Sequence, residues 1–351
     1  MERPRLAVIG VGHLGKEHAR ILAATPGVEL VGVADARPEQ AEAVARRCLT
    51  HPFTDHRRLL GRIDAAVVAV PTVQHHSIAL DCLRAGVSLL VEKPLASRLD
   101  EADELLAAAQ EHGALLQVGH IERYNPAFEE LRRRPLQPKL ITCRRLSPFS
   151  GRSLDIGVVL DLMIHDIDLV LALVGAPLAE VSALGVSVLG GHEDLARARL
   201  TFANGCVAEL SASRVHTGPE RQMEVWAPEG FAAADFHRRR LTLVQPSGRP
   251  RVAATGADLF GQLFERREVD CNAEGPDQLT RELHEFVASV RGGAPVRVTG
   301  AQGRDALAVA CRILDAIARH SWDGVSGGRV GPTDLPPPLG PLFPVAGREA
   351  A

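Results

Sequence analysis

Three short stretches of this sequence carry residues whose types and spacing suit chemistry. Gly10-Val11-Gly12-His13-Leu14-Gly15 is a G-x-G-x-x-G run between a strand-like segment (Arg5–Gly10) and a helix-like one (Gly15–Ala24). In that context Gly10 makes a tight turn, Gly12 lets the backbone approach a pyrophosphate, and Gly15 lets helix and strand pack closely. The anion then rests on free amides and the helix dipole. Asp35 ends the next strand-like segment, twenty residues after Gly15, where an acidic ribose ligand belongs. A carboxylate there accepts ribose hydroxyls and repels a 2′-phosphate, which points to NAD. Arg37, two residues on, suits either adenine stacking or a 2′-phosphate and keeps NADP open.

The second stretch is Glu92-Lys93-Pro94, at the C-terminal end of a strand-like run, the end that faces the ligand crevice in open α/β sheets. A lysine there can reach a substrate hydroxyl. The third is Gly157–Leu173, apolar almost all round except for Asp161, His165, Asp166 and Asp168. Positions 161, 165 and 168 are spaced i, i+4, i+7 and share one helix face. Polar groups on a buried helix must find partners or be used for chemistry.

The elements that position these residues read as two kinds. Residues 5–120 alternate apolar strands with helices, and Ala65–Val70 is apolar throughout, as expected for a parallel strand buried on both faces. From about residue 138, strand-like segments follow one another: Leu140–Leu146, Val181–Val188, Ala196–Phe202, Val207–Ser213, Met223–Ala227 and Leu241–Val244. Asn204-Gly205 predicts a hairpin with a type I′ turn. A helix over Leu160–Val174 breaks this run, and Pro276–Val290 and Gln302–His320 are helical. The fold class is therefore α/β: a doubly wound Rossmann sheet, then an α+β domain with an open, mainly antiparallel sheet. The expected boundaries are 1–125 for dinucleotide binding, 126–322 for substrate and oligomerisation, and 323–351 for a poorly ordered Pro/Gly-rich tail.

Composition excludes several classes. The formal net charge is -3, which leaves no basic footprint for nucleic acid or an anionic membrane. The runs at Arg132–Arg134 and Arg238–Arg240 read as solvated faces. Six cysteines without a C-x-x-C pair suggest neither a zinc site nor a disulfide framework, so no metal is expected. No apolar stretch is long enough to span a bilayer, and the N-terminus runs into a strand without a leader-like pattern, so a cytoplasmic location is expected.

The chain resembles the glucose-fructose oxidoreductase / inositol dehydrogenase / rhizopine catabolism (Gfo/Idh/MocA) family over roughly residues 4–320. The resemblance rests on GVGHLG, VADARPE, VPTVQHH at 70–76, AGVSLLVEKPLA at 85–96, GHIERYNP at 119–126 and the D-x-x-x-H of 161–165. It implies catalysis by Lys93, Asp161 and His165. It also implies a last helix that packs back on the Rossmann domain, and assembly as a homodimer or homotetramer. His165 would be the general base, Lys93 would stabilise the alkoxide, and Asp161 would orient the imidazole or hold a second hydroxyl. Cofactor positions extend to His13, Leu14, Val70, Pro71, His75, Glu92 and Lys93. Arg123, Tyr124 and Asn125 would lie at the crevice mouth, Arg123 meeting a substrate phosphate or forming a structural salt bridge. Arg152, Arg214 and His216 are weaker candidates for the same pocket.

Many members have glycine where this chain has Met163, a change expected to reshape the pocket away from simple polyols. GHIERYNP together with DLMIHDID is similar to the bacterial nucleotide-sugar branch. That implies oxidation of the 3-hydroxyl of UDP-N-acetylglucosamine, on a route to 2,3-diamino sugars for lipid A. A free-sugar or inositol dehydrogenase, and a non-catalytic cofactor-sensing regulator, are the alternatives.

Overall fold

The computed structural model describes residues 3–151, 156–188, 192–248, 258–272, 275–322 and 325–326. The first half alternates strands and helices in chain order: β1 (Arg5–Ile9), α1 (Gly15–Ala24), β2 (Glu29–Ala34), α2 (Pro38–Cys48), β3 (His51–Phe53), β4 (Ala65–Val68), α3 (His75–Arg84), β5 (Ser88–Glu92), α4 (Leu99–Glu111) and β6 (Leu116–Gly119). The six strands are parallel in the order β3-β2-β1-β4-β5-β6. All four residues of β4 are fully buried, as its unbroken apolar run requires. The order reverses between β1 and β4, so a crevice opens beyond their C-terminal ends, where doubly wound sheets bind ligands.

Next come α5 (Pro126–Arg132), β7 (Leu140–Leu146), a π-helical turn (Val159–Met163) and α6 (Ile164–Val174). Strands β8 (Leu178–Val186), β9 (Leu195–Phe202), β10 (Val207–Ser213), β11 (Glu220–Ala227), β12 (Gly230–Asp235) and β13 (Arg240–Pro246) follow. The chain continues with α7 (Asp258–Leu263), β14 (Phe264–Asp270), α8 (Gln278–Val290) and α9 (Gly300–Arg319). The eight-stranded sheet runs β14-β13-β12-β11-β7-β10-β9-β8 and is antiparallel except where β7 lies parallel to β10. One face packs on α6 and α9 through Met163, Ile164, Ile167, Ala310 and Ile313, which meet Ile141, Cys143, Met223 and Val225 in a single core.

Both C-terminal helices return to the first sheet. Leu283, Phe286 and Val287 of α8 join the core of β1 and α1, and Leu307 of α9 joins that of β5 and β6. Only the last helix was expected there. The amphipathic stripe of α8 gives no sign of which sheet it covers. Helix α8 starts at Asp277, which accepts from the Thr280 amide, and α9 at a Thr299–Gln302 capping box.

Two local expectations change. The β9–β10 hairpin forms, but its turn is not I′. Among described non-glycine residues only Leu49 and Arg239 have positive φ, so Gly205 at 80° supplies the turn's left-handed residue alone. The helix expected from residue 160 opens as a π turn instead, with the Val159 amide held by Glu193 Oε1 at 3.0 Å. Of the Pro/Gly-rich tail, Val325–Ser326 pairs with Ser321–Trp322, and the rest lies outside the described residues.

Candidate active site

The glycine run lies in the turn between β1 and α1. Gly10 has φ of 84°, and its amide donates to Ala34 O at 2.7 Å. A Cβ on Gly10 would meet the Ala69 main chain at 2.7 Å, and one on Gly15 would meet Gly10 O at 1.8 Å. Gly12 differs: a Cβ there would meet nothing within 4 Å. The fold needs Gly10 and Gly15, whereas only something outside the chain needs Gly12. The N-terminus of α1 has no side-chain cap, which leaves its dipole and first amides for an anion. The residues therefore fit a dinucleotide.

A cavity of about 620 Å³ opens here, lined by Gly10, Gly12, Asp35, Arg37, Val70 and Pro71 among others. His13 and Leu14 lie exposed at the helix start. Asp35 accepts the Val11 amide at 3.0 Å through one oxygen and the Arg37 amide at 3.0 Å through the other, so its carboxylate is fixed at the rim. The Arg37 side chain is 67% exposed and 3.4 Å from Asp35, a partner too loose to neutralise it. Gln40, not foreseen, ties its amide to Val11 O at 2.7 Å and braces the loop.

Lys93 and Asp161 meet across the two halves of the chain. The Lys93 ammonium donates to Asp161 Oδ1 at 3.0 Å and to Asp161 O at 2.6 Å. The π turn thus presents both a carboxylate and a carbonyl to the lysine. Such turns recur at functional sites because the inserted residue re-aims its neighbours. His165 follows on α6, partly exposed, its Nδ1 buried with no partner among the described residues. Burial holds the imidazole well below the ordinary histidine range, and the charges of Lys93 and Arg145 push the same way. At neutral pH the ring is therefore uncharged and able to take a proton. No hydrogen bond joins it to Asp161, whose carboxylate turns to Lys93 instead of orienting the ring.

Several expected site residues have structural places. Arg123 is 5% exposed and grips Asp168 with two bonds of 2.6 and 2.8 Å, so its fork is not free for a phosphate. The Tyr124 hydroxyl accepts from Gln117 at 3.3 Å in the core. Asn125 caps α5 through the Ala127 amide and bonds Glu122 and Phe236 O. None of the three lies at a crevice mouth. Glu92 is buried against His18 at 2.7 Å and does not line the cofactor cavity. Its carboxyl lies below the usual range although burial opposes this, because His18 bonds it and Lys93 adds positive charge. His75 is buried between Pro94 O and Val70 O at 2.8 and 2.9 Å, where it ties two crevice loops together.

Arg214 is buried against Asp194 at 2.6 Å, His216 is exposed and bonds Gly218 O, and Arg152 lies outside the described residues. Met163 is fully buried in the second core, so its bulk serves packing and not a pocket wall.

Behind His165 lies a buried network that was not foreseen. Arg145 bonds Glu122 at 2.8 Å and Asp166 at 2.7 Å. His120, fully buried, meets the His165 ring edge-to-face at 6.3 Å, with neither nitrogen partnered among the described residues. These groups fix α6 and the strand below it. No set of three metal-ligating side chains occurs among the described residues, and none of their helices is long and apolar enough to cross a membrane.

Comparison with known proteins follows the same division. Residues 4–120 match the oxidoreductase family with an NAD-binding Rossmann fold, and residues 133–233 match the GFO/IDH/MocA C-terminal domain. The chain is 38% identical over 316 residues to UDP-N-acetylglucosamine 3-dehydrogenase of Acidithiobacillus ferrooxidans, covering 89% of this chain and 97% of that one. A solved structure of that enzyme superposes with a TM-score of 0.82 at 37% identity, over 90% of this chain and 98% of the other. The chain is also 31% identical to scyllo-inositol 2-dehydrogenase (NAD(+)) of Bacillus subtilis, over 70% of this chain and 78% of that one. Levoglucosan dehydrogenase with NADH and levoglucosan, at 23% identity and a TM-score of 0.77 over 91% of this chain and 98% of that one, shares the fold. On its glycine cradle, its Lys93–Asp161–His165 cluster and these matches, the chain belongs to the Gfo/Idh/MocA family and is an NAD(P)-binding oxidoreductase that acts on a hydroxyl-bearing carbon.

Proposed function

We propose that the protein oxidises the 3-hydroxyl of UDP-N-acetylglucosamine to a ketone, with NAD as the acceptor. The observation that carries the chemistry is the meeting of Lys93, Asp161 and an uncharged His165 at the end of the cofactor crevice. The substrate follows from the Acidithiobacillus relative, whose length the chain matches almost throughout.

Bound in the crevice, the nicotinamide supplies the acceptor for the electron pair and hydrogen that leave the carbinol carbon. His165 takes the hydroxyl proton, and the C–O bond becomes C=O as the C–H bond breaks. Lys93 donates to the oxygen while negative charge builds on it, a stabilisation that grows toward the transition state. Asp161 holds the ammonium in place. Without it a flexible lysine would sample many rotamers. NAD is preferred because Asp35 presents a fixed carboxylate where a 2′-phosphate would fall, with only an exposed arginine nearby. The enzyme works in the cytoplasm as a homodimer or homotetramer, the outer face of the eight-stranded sheet being free to assemble.

A panel of UDP-N-acetylglucosamine, N-acetylglucosamine and myo-inositol, each with NAD and with NADP, tests this. Reduction with UDP-N-acetylglucosamine and NAD at a kcat/KM well above the other pairs is expected. Turnover of inositol or the free sugar at equal efficiency would reject the substrate assignment.

A further inference from the structure

Arg221 opens β11. Strand alternation sets it on the same face as Met223 and Val225, which are 0% and 1% exposed in the second core. On β7, Ile141, Cys143 and Arg145 occupy that face, and Arg221 pairs directly opposite Arg145. Facing arginines repel at this separation. The charge of Arg145 is met by Glu122 and Asp166. Arg221 is exposed and makes no side-chain hydrogen bond or ion pair with any described residue. Glu122 and Asp166 feel its charge as well, but neither bonds it, so the donors of its guanidinium face solvent or a ligand.

The surroundings indicate what uses it. The face it shares is the one against which α6 and its His165 are held. After burial, Lys93, Arg145 and His120, the charge of Arg221 also bears on His165. Beside it opens a cleft of about 480 Å³, lined by Arg221, Gln222, Asp235, His237 and Arg238 among others. Its acidic members are engaged: Glu220 pairs with Arg144 at 3.0 Å, and Asp235 accepts the Arg238 amide at 2.8 Å. Arg238 also lies 3.9 Å from Asp235, so Arg221 is the guanidinium of the cleft that no described carboxylate bonds.

We propose that Arg221 anchors the diphosphate of the nucleotide-sugar substrate, with the nucleoside lying in the adjoining cleft. This assignment rests on the nucleotide-sugar reading above. The guanidinium fork suits phosphate oxygens, and a grip on the non-reacting end of the substrate holds the sugar carbon in line with Lys93 and His165. Arg123, the residue the sequence suggested for this task, is spent on Asp168. A free sugar or polyol has nothing for Arg221 to hold, so this position sets the preference for a nucleotide.

The test is UDP alone, titrated calorimetrically into the NAD-loaded enzyme, wild type, Arg221→Gln and Arg221→Lys, with KM and kcat for UDP-N-acetylglucosamine alongside. Loss of a charge-assisted fork raises the UDP Kd roughly 10- to 100-fold in Arg221→Gln. Arg221→Lys recovers part of it, KM rises more than kcat falls, and NAD affinity stays unchanged as the check on folding. UDP binding equal in wild type and Arg221→Gln would overturn the anchor while leaving the substrate assignment standing. A wild type that ignores UDP yet oxidises the free sugar would remove the substrate assignment and the anchor together.

Discussion

Gly12→Ala separates cofactor binding from folding. An added Cβ at Gly12 meets no atom of the protein within 4 Å, and this glycine, unlike Gly10, does not require a positive φ. Alanine there leaves the fold intact, and by narrowing the unfolded ensemble it stabilises by at most about 0.4–1 kcal/mol. The methyl instead occupies the space through which a pyrophosphate reaches the loop amides. Losing one such charge-assisted hydrogen bond costs ~1.5–3 kcal/mol, a rise in NAD Kd of roughly 10- to 100-fold. Gly15→Ala does the reverse, because its Cβ would stand 1.8 Å from Gly10 O and must push strand and helix apart. Thermal melts and NAD titration by fluorescence, run on both variants, give the comparison. The expected pattern is an unchanged or higher Tm with weak NAD for Gly12→Ala, and a lower Tm for Gly15→Ala. A Gly12→Ala protein that binds NAD as wild type would refute the placement of the pyrophosphate.

His165→Asn should lower kcat by roughly 10²–10⁴, with NAD affinity unchanged. Because burial and then Lys93 depress this imidazole, the base stays unprotonated to a pH below the ordinary histidine value; the acid limb of kcat/KM in the wild type lies there, and Lys93→Met moves it upward while cutting kcat by roughly 10²–10³. A limb that stays put in Lys93→Met would assign it to another group. Asp35→Asn removes the fixed carboxylate and should raise the NAD Kd by roughly 10-fold or more while narrowing the preference over NADP, read from the two Kd values. Glu282 is fully buried on α8, with neither carboxylate oxygen partnered among the described residues, and burial raises its pKa well above the ordinary value. The folded state then keeps a proton that the unfolded chain releases, so the stability tied to this group is present below the ordinary glutamate range and is lost as pH rises toward the folded value. Glu282→Gln should therefore flatten the fall of Tm above that range; an unaltered slope would contradict it.

The cofactor half of the site was legible because each of its demands is local. A tight turn, a close helix–strand contact and an acid at a strand end are written within one βαβ unit; Gly10, Gly12 and Asp35 line the cavity, and Gly15 packs against Gly10 O. The sequence also singled out Lys93, Asp161 and His165, but not the Lys93–Asp161 pairing. The π turn gives Lys93 both the carboxylate and the carbonyl of Asp161, and no residue type announces such a turn.

Arg123, Tyr124 and Asn125 misled because a polar run just past a strand end looks like a crevice rim. Their fate depends on Asp168, Gln117 and Phe236, partners 45, 7 and 111 residues away. The buried Arg145 did leave a trace. It takes the next inward position after Ile141 and Cys143, and a charge on an inward face calls for a partner. Arg221 left the same trace before Met223 and Val225.

In the proposed reaction the hydrogen at C3 of the sugar leaves with its electron pair for the nicotinamide. Turnover of UDP-N-acetylglucosamine carrying deuterium at C3, followed by mass spectrometry of the reduced cofactor, tests it most directly. Deuterium in the NADH and a 3-keto sugar still attached to UDP are expected. Reduced cofactor without deuterium would mean that another carbon is oxidised, and no reduction at all with this substrate would rule out the reaction.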